Sequence, residues 1–139
     1  MKLAHAILSL SLVLTGLALG QSQAAEPIQT GQGHRFACTD YSQGKVFIVS
    51  ADGKVEWEYG PAKSANDLWV MPNGNLMFNT GHGVKEVTRD KEVVFQYDSP
   101  SEIYACQRLA NGNTFIAECN RGQLLDVAPD GTVVKCIKL

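Results

Sequence analysis

The sequence predicts an all-β chain, a partial β-propeller of about 2.75 four-stranded antiparallel blades that follows a signal peptide. Three observations predict it. Asn73-Gly74-Asn75 and Trp57-Glu58-Tyr59 return 38 residues later as Asn111-Gly112-Asn113 and Phe95-Gln96-Tyr97. Each repeat resolves into short runs rich in Val, Ile, Phe and Tyr, bounded by Gly, Asn, Asp and Pro, the composition of strands between tight turns. No window carries a helical period.

The 139-residue chain opens with one charge, Lys2, before an apolar run from Ala6 to Gly20 and then Ser22-Gln23-Ala24. A charged start, an apolar stretch too short to span a bilayer and a small-x-small site read as a signal peptide over residues 1–25. The propeller region is then 26–139. Export to the periplasm or the extracellular space is expected, without stable membrane insertion. The net charge of −2 gives no electrostatic case for nucleic acid.

The first blade, 34–60, is partial. Arg35 to Thr39, Lys45 to Ser50 and Lys54 to Tyr59 match the second, third and fourth strands of a blade, with no innermost strand before them. The second blade, 66–98, has strands over Asp67 to Met71, Leu76 to Asn79, Val84 to Thr88 and Glu92 to Tyr97. The third, 102–139, repeats this with Ile103 to Leu109, Thr114 to Glu118, Gln123 to Ala128 and Thr132 to Ile137. Asn73-Gly74 and Asn111-Gly112 are expected to form type I′ hairpin turns, in which both residues take positive φ. A β-sandwich also uses many short strands, but whole four-strand repeats favour the propeller. Propellers close with about four to eight blades. Fewer than three blades implies either a fragment of a longer propeller or a ring built from several copies, with self-association through the open blade edges.

In a propeller the loop that leads into each blade and the loop between its second and third strands lie on one face. That face gathers Asp40, Tyr41, Asn66, Asp67, Asn79, His82, Glu102, Glu118 and Arg121. They read either as a ligand-binding face or as caps that satisfy turn backbone. His82, between two glycines, reads as an exposed imidazole available as a base or as an ordinary turn histidine. Asp40, Asp67 and Glu118 read either as groups for acid–base work or calcium binding or as structural caps, and their spacing follows the repeat rather than a calcium-loop pattern. No catalytic set and no metal site is assigned. Trp57 and Phe95 share one register, and Trp69 is paired with Tyr104; both pairs read as packing between blades rather than as a stacking platform.

The cysteines are Cys38, Cys106, Cys119 and Cys136. With Ala110 opposite Asn113, Cys106 faces Ala117 and Cys119 faces Tyr104. The two sulfurs are then diagonal neighbours at about 7–8 Å, too far for a disulfide. Mostly free, buried thiols rather than two disulfides are expected, against the usual pattern of exported chains.

Leu68-Trp69-Val70-Met71-Pro72-Asn73-Gly74-Asn75 and Asp52-Gly53-Lys54-Val55-Glu56-Trp57-Glu58-Tyr59 resemble blade motifs of quinoprotein-like propellers and bacterial arylsulfotransferases, the PQQ-like repeats. The resemblance covers about His34 to Leu139. It implies propeller blades, and for active members a histidine ahead of the Asp of the innermost strand. Here Asn66 precedes Asp67, and Ser101-Glu102 is the pair read for the next blade. A quinone cofactor enters only through the resemblance, and its paired cysteines, carboxylate set and aromatic floor are not found; no cofactor is otherwise expected. The expectation is a non-catalytic module that binds a small molecule, glycan or protein on the funnel face. The alternative is a truncated relative of such an enzyme. N-terminal sequencing of protein recovered from the periplasm or medium should begin near Ala25; a start at Met1 would overturn the export reading.

Overall fold

A computed structural model describes residues 31–139, so the signal-peptide reading lies outside the described residues. Every regular element there is a strand: β1 (Phe36–Asp40), β2 (Lys45–Val49), β3 (Val55–Tyr59), β4 (Leu68–Val70), β5 (Leu76–Asn79), β6 (Gly81–Val87), β7 (Val93–Arg108), β8 (Thr114–Glu118), β9 (Gln123–Val127) and β10 (Val133–Lys138). All pairings are antiparallel. The first sheet is β1-β2-β3, and the second runs β4-β5-β6-β7-β8-β9-β10. This is a partial β-propeller: strands two to four of one blade, then two complete blades that share β7.

The sharing of β7 corrects one expectation. The outer strand of the second blade and the inner strand of the third are continuous. Residues 99–102 form an excursion where Gly83 pairs Asp98 and Gly81 pairs Ile103. Pro100 sits there because it has no N–H to give a ladder.

The blades stack through two cores. Val46, Ile48, Ala62, Ala65, Leu76, Phe78 and Val87 form the one between the first and second blades. Met77, Val84, Phe95, Ile103, Cys106, Ile116, Leu125 and Val127 form the one between the second and third. Strand alternation explains the division, since successive side chains point to opposite faces. Leu76 and Phe78 go one way, Met77 the other, and each full burial is worth about 1.5–3 kcal/mol. Trp57 wedges into the first core, its indole N–H donating to the Arg89 carbonyl at 2.7 Å under the Arg89 guanidinium.

One hairpin design recurs along the chain. In Met71–Asn75, the Met71 N–H donates to the Asn75 carbonyl at 2.9 Å and the Gly74 N–H donates to the Met71 carbonyl at 2.8 Å. The same pair of bonds closes Ser50–Lys54, Thr88–Glu92, Leu109–Asn113 and Ala128–Thr132. Only the last loop residue has positive φ, 86° at Gly74 and 89° at Gly112; Asn73 and Asn111 do not. These are therefore three-residue loops, a type I turn followed by a left-handed residue, and not type I′ turns. Asn73, Asn111 and Asp130 instead accept the N–H two residues on, at 3.1, 3.1 and 2.9 Å. The longer loop moves the register by one residue, so Cys106 pairs Ile116 rather than Ala117.

That shift also changes the cysteine picture. All four cysteines are free, but only Cys106 is buried; Cys119 lies beyond the strand end and, like Cys136, is exposed. Burial, followed by the nearby Asp67 carboxylate, pushes the Cys106 thiol far above its ordinary value.

Four of the five loops place glycine at the left-handed position. Thr88–Glu92 places Lys91 there, at φ 71°. A side chain in that region costs about 1–2 kcal/mol, partly offset by the extra unfolded-state freedom of glycine. Lys91→Gly should therefore stabilise the chain by about 0.5–1 kcal/mol, seen as a higher urea midpoint at unchanged slope.

Candidate functional site

The polar residues expected on one face sit at or beside strand ends or in the β7 excursion, and they do different jobs there. Asn79 ends β5 with its side chain fully buried. Its Oδ1 accepts the backbone N–H of Asn66 at 2.8 Å and of Asp67 at 2.9 Å. Its Nδ2 donates to the Ile103 carbonyl in the next blade at 2.6 Å. Asp67 Oδ2 in turn accepts the Cys106 N–H at 2.8 Å. These bonds lace the segment leading into the second blade onto the inner strand of the third.

Glu118 ends β8 and is also buried. Ser99 donates to one oxygen and Gln123 to the other, with Arg121 Nε 3.8 Å from the second. The Ser101 N–H donates to Ser99 Oγ at 2.9 Å, so Glu118 holds the excursion in β7. Burial, and then the charge of Glu118, push the Tyr97 phenol above its ordinary range. Asp40 accepts the Gln43 N–H at 2.8 Å and shapes the loop after β1, with Tyr41 exposed beside it. Glu102 accepts from Tyr104 Oη at 3.2 Å, which raises the Tyr104 phenol.

His82 lies within β6 rather than in a loop, and it is exposed. Its neighbour Gly83 explains the spacing. A Cβ there would meet the Tyr97 carbonyl at 2.7 Å and Thr80 Oγ1 at 2.9 Å, so only glycine fits.

The opening with the chemistry of a binding site lies between the inner strands of the second and third blades. It is a cleft of about 450 Å³ whose walls include Asn66, Asp67, Trp69, Tyr104, Gln107 and Phe115. Trp69 is 42% and Tyr104 52% exposed, which overturns the reading of these two as packing residues. The pairing of the two also fails. Trp69 stands opposite Met77 and Gln107 opposite Phe115, so the partner of Trp69 in the repeat is Gln107. By the same register Asn66-Asp67 corresponds to Tyr104-Ala105, not Ser101-Glu102. Sequence reasoning missed Gln107 and Phe115 because the excursion in β7 hides the true offset; the 38-residue spacing counted back from Asn111-Gly112 would have found them. Of the polar residues read from the sequence, Asn66 and Asp67 line this cleft.

A wider cleft of about 620 Å³ runs past Lys45, Glu58, Lys63 and Lys91. Lys45 there is already tied to Glu58 at 3.2 Å, and no aromatic side chain lines it. The quinone cofactor implied by the resemblance requires a metal-binding carboxylate set. Among the described residues no three His, Cys, Asp or Glu side chains are grouped to hold an ion, so the donor set does not fit.

Asn79→Ala would leave the Asn66 and Asp67 N–H groups and the Ile103 carbonyl without partners in a dry site. Each orphaned buried group costs about 1–3 kcal/mol, some of it recovered by relaxation. The expected loss is about 3 kcal/mol of unfolding free energy in denaturant titration, with Asn79→Asp no milder, because it sets a buried carboxylate oxygen against the Ile103 carbonyl.

The chain matches no protein-family model and no curated protein. Solved structures do resemble it. A streptogramin B lyase superposes with a TM-score of 0.64 at 17% identity, covering 76% of this chain and 37% of the lyase. Selenomethionine-substituted virginiamycin B lyase from Staphylococcus aureus gives 0.60 at 19%, covering 79% and 42%. The WD40 β-propeller domain of Doa1 gives 0.66 at 18%, covering 77% and 37%. The chain thus spans less than half the length of each, and the likeness is one of fold: this chain has the blade architecture of the β-propellers.

Proposed function

We propose that this chain is an exported, non-catalytic binding module that takes a small molecule or glycan in the cleft between its second and third blades. The observation that carries this reading is the cleft itself: two aromatic rings left exposed at the mouth of a cavity of about 450 Å³, with amide and carboxylate groups beside them. An exposed Trp and Tyr give flat apolar surface at low entropic cost, and nearby polar groups orient what stacks on them. Asp67 is held by the Cys106 N–H and Asn66 by Asn79, so these parts of the wall are built before any ligand arrives. Preorganisation of this kind lowers the cost of binding.

The non-catalytic part rests on the residues at the innermost strands. Neither Asn66 nor its repeat partner Tyr104 is the histidine that arylsulfotransferase-like blades carry. His82, an exposed imidazole, is not among the residues lining the cleft.

Titration of the exported protein with a panel of soluble glycans, small aromatic compounds and a free quinone, followed by tryptophan fluorescence, tests the reading. At least one compound should change the emission, and Trp69→Ala should weaken its binding at least tenfold, about 1.4 kcal/mol. Calorimetric titration reads the variant, since the remaining Trp57 lies in the other core, away from the cleft. Binding that survives Trp69→Ala unchanged would remove the cleft from the proposal. Turnover of an aryl sulfate above background would remove the non-catalytic part.

A further inference from the structure

A propeller blade has two different faces, and this chain displays both halves of the junction between them. The second blade offers Met77, Val84, Phe95 and Tyr97, and the third covers them with Cys106, Ile116, Leu125 and Val127. At the polar end of that junction Glu86 meets Arg108 at 2.6 Å, both largely buried.

The register carries the offering face forward by one blade. Phe115 stands where Met77 stands, Leu124 where Val84 stands, Asp126 where Glu86 stands and Ile137 where Tyr97 stands. These side chains, with Leu109 and Lys135, line an apolar hollow of about 350 Å³ on the far side of the third blade. Asp126 Oδ1 is buried there without a hydrogen-bond partner. Its counterpart Glu86 has an arginine from the covering blade. Buried carboxylate oxygens are normally satisfied, and the one that is not marks this hollow as half of a junction.

The covering half stands at the other end of the described chain. In the first sheet Ala37, Val46 and Ile48 turn into the core, so strand alternation turns Phe36, Cys38, Phe47 and Val49 the opposite way. They occupy the register positions of Leu76, Phe78, Lys85 and Val87, the face with which the second blade meets its neighbour. Phe36 is 46% exposed.

We propose that the far face of the third blade is a docking site for the first sheet of a second copy of this chain, joined head to tail. One chain carries the offering half of a junction that it already makes twice within itself, together with the second and third strands of the covering half; the inner strand, which supplies Arg108 at the existing junction, has no counterpart in the first sheet. Unlike faces on one chain give a heterologous contact, which closes into a ring or continues as an open array.

The experiment is a mass measurement by light scattering on the chain recovered after export from its full-length gene. At tens of micromolar the protein should exceed the monomer mass. Leu124→Glu on the offering face and Phe47→Glu on the covering face should each weaken self-association about a hundredfold or more, because each buries an unpaired charge, and each should run as a monomer. An equimolar mixture of the two should recover a dimer through the one junction left intact, which also shows that both variants fold. A monomeric wild-type chain would overturn the proposal and leave the hollow to a different protein or to further blades of a longer chain. A mixture that stays monomeric, or an oligomer indifferent to both changes, would overturn it equally.

Discussion

The double burial of β5 is the constraint on which the rest depends. Leu76, Met77, Phe78 and Asn79 are all fully buried in sequence, which a strand achieves only when both faces are covered. Leu76 and Phe78 need the first sheet; Met77 needs the third blade. Without either neighbour the central blade would expose the side chains that hold it. The three sets of strands therefore stand or fall together, and the inner strands β4 and β7 are brought near each other as a consequence.

Polar groups then fix how the blades meet. Glu86 receives Arg108 at 2.6 Å and the Asn75 amide at 2.7 Å, and the Arg108 guanidinium lies over the Phe95 ring at 4.7 Å. A buried pair of this kind adds little net stability over apolar residues of the same size, yet a misplaced partner leaves an uncompensated charge. The same holds for Asn79, whose amide spans two blades. Apolar packing brings the blades together; these bonds select one register among the many that apolar surfaces tolerate.

The strand pattern was legible in the sequence because alternation and turn residues are local signals. β5 and β8 fall on the residues that the pattern predicts, and the glycines of the turns are where the chain needs them. The turn type was not legible, since Asn-Gly suits a two-residue loop and a three-residue loop alike, and the one-residue difference carried the wrong partner for Cys106. The excursion in β7 was hidden for a similar reason: residues 99–102 look like an ordinary link, and they shifted Tyr104 onto the place of Gln107. In the site, the sequence singled out Asn66 and Asp67, which line the cleft. It did not show which polar residues spend their hydrogen bonds on backbone. Asn79 does so through contacts to residues up to 24 positions away, while Glu118 spends its own on the side chains of Ser99 and Gln123.

Gln107 and Phe115 belong to both the cleft and the hollow on the third blade. Phe115 lies between the two, and its repeat partner Met77 is covered by the following blade. A second copy seated on the hollow would therefore stand beside the cleft and hold Phe115 in place, completing a wall that a lone chain leaves open. Two binding events that share a side chain are linked thermodynamically: whatever factor association contributes to ligand affinity, the ligand returns to association. The cleft proper is bounded by Asn66, Asp67, Trp69 and Tyr104, all within the second and third blades, so a lone chain retains the aromatic surface. What association would add is rigidity at Phe115 and Gln107, and the coupling would be set by how much of the ligand rests on those two rather than on Trp69.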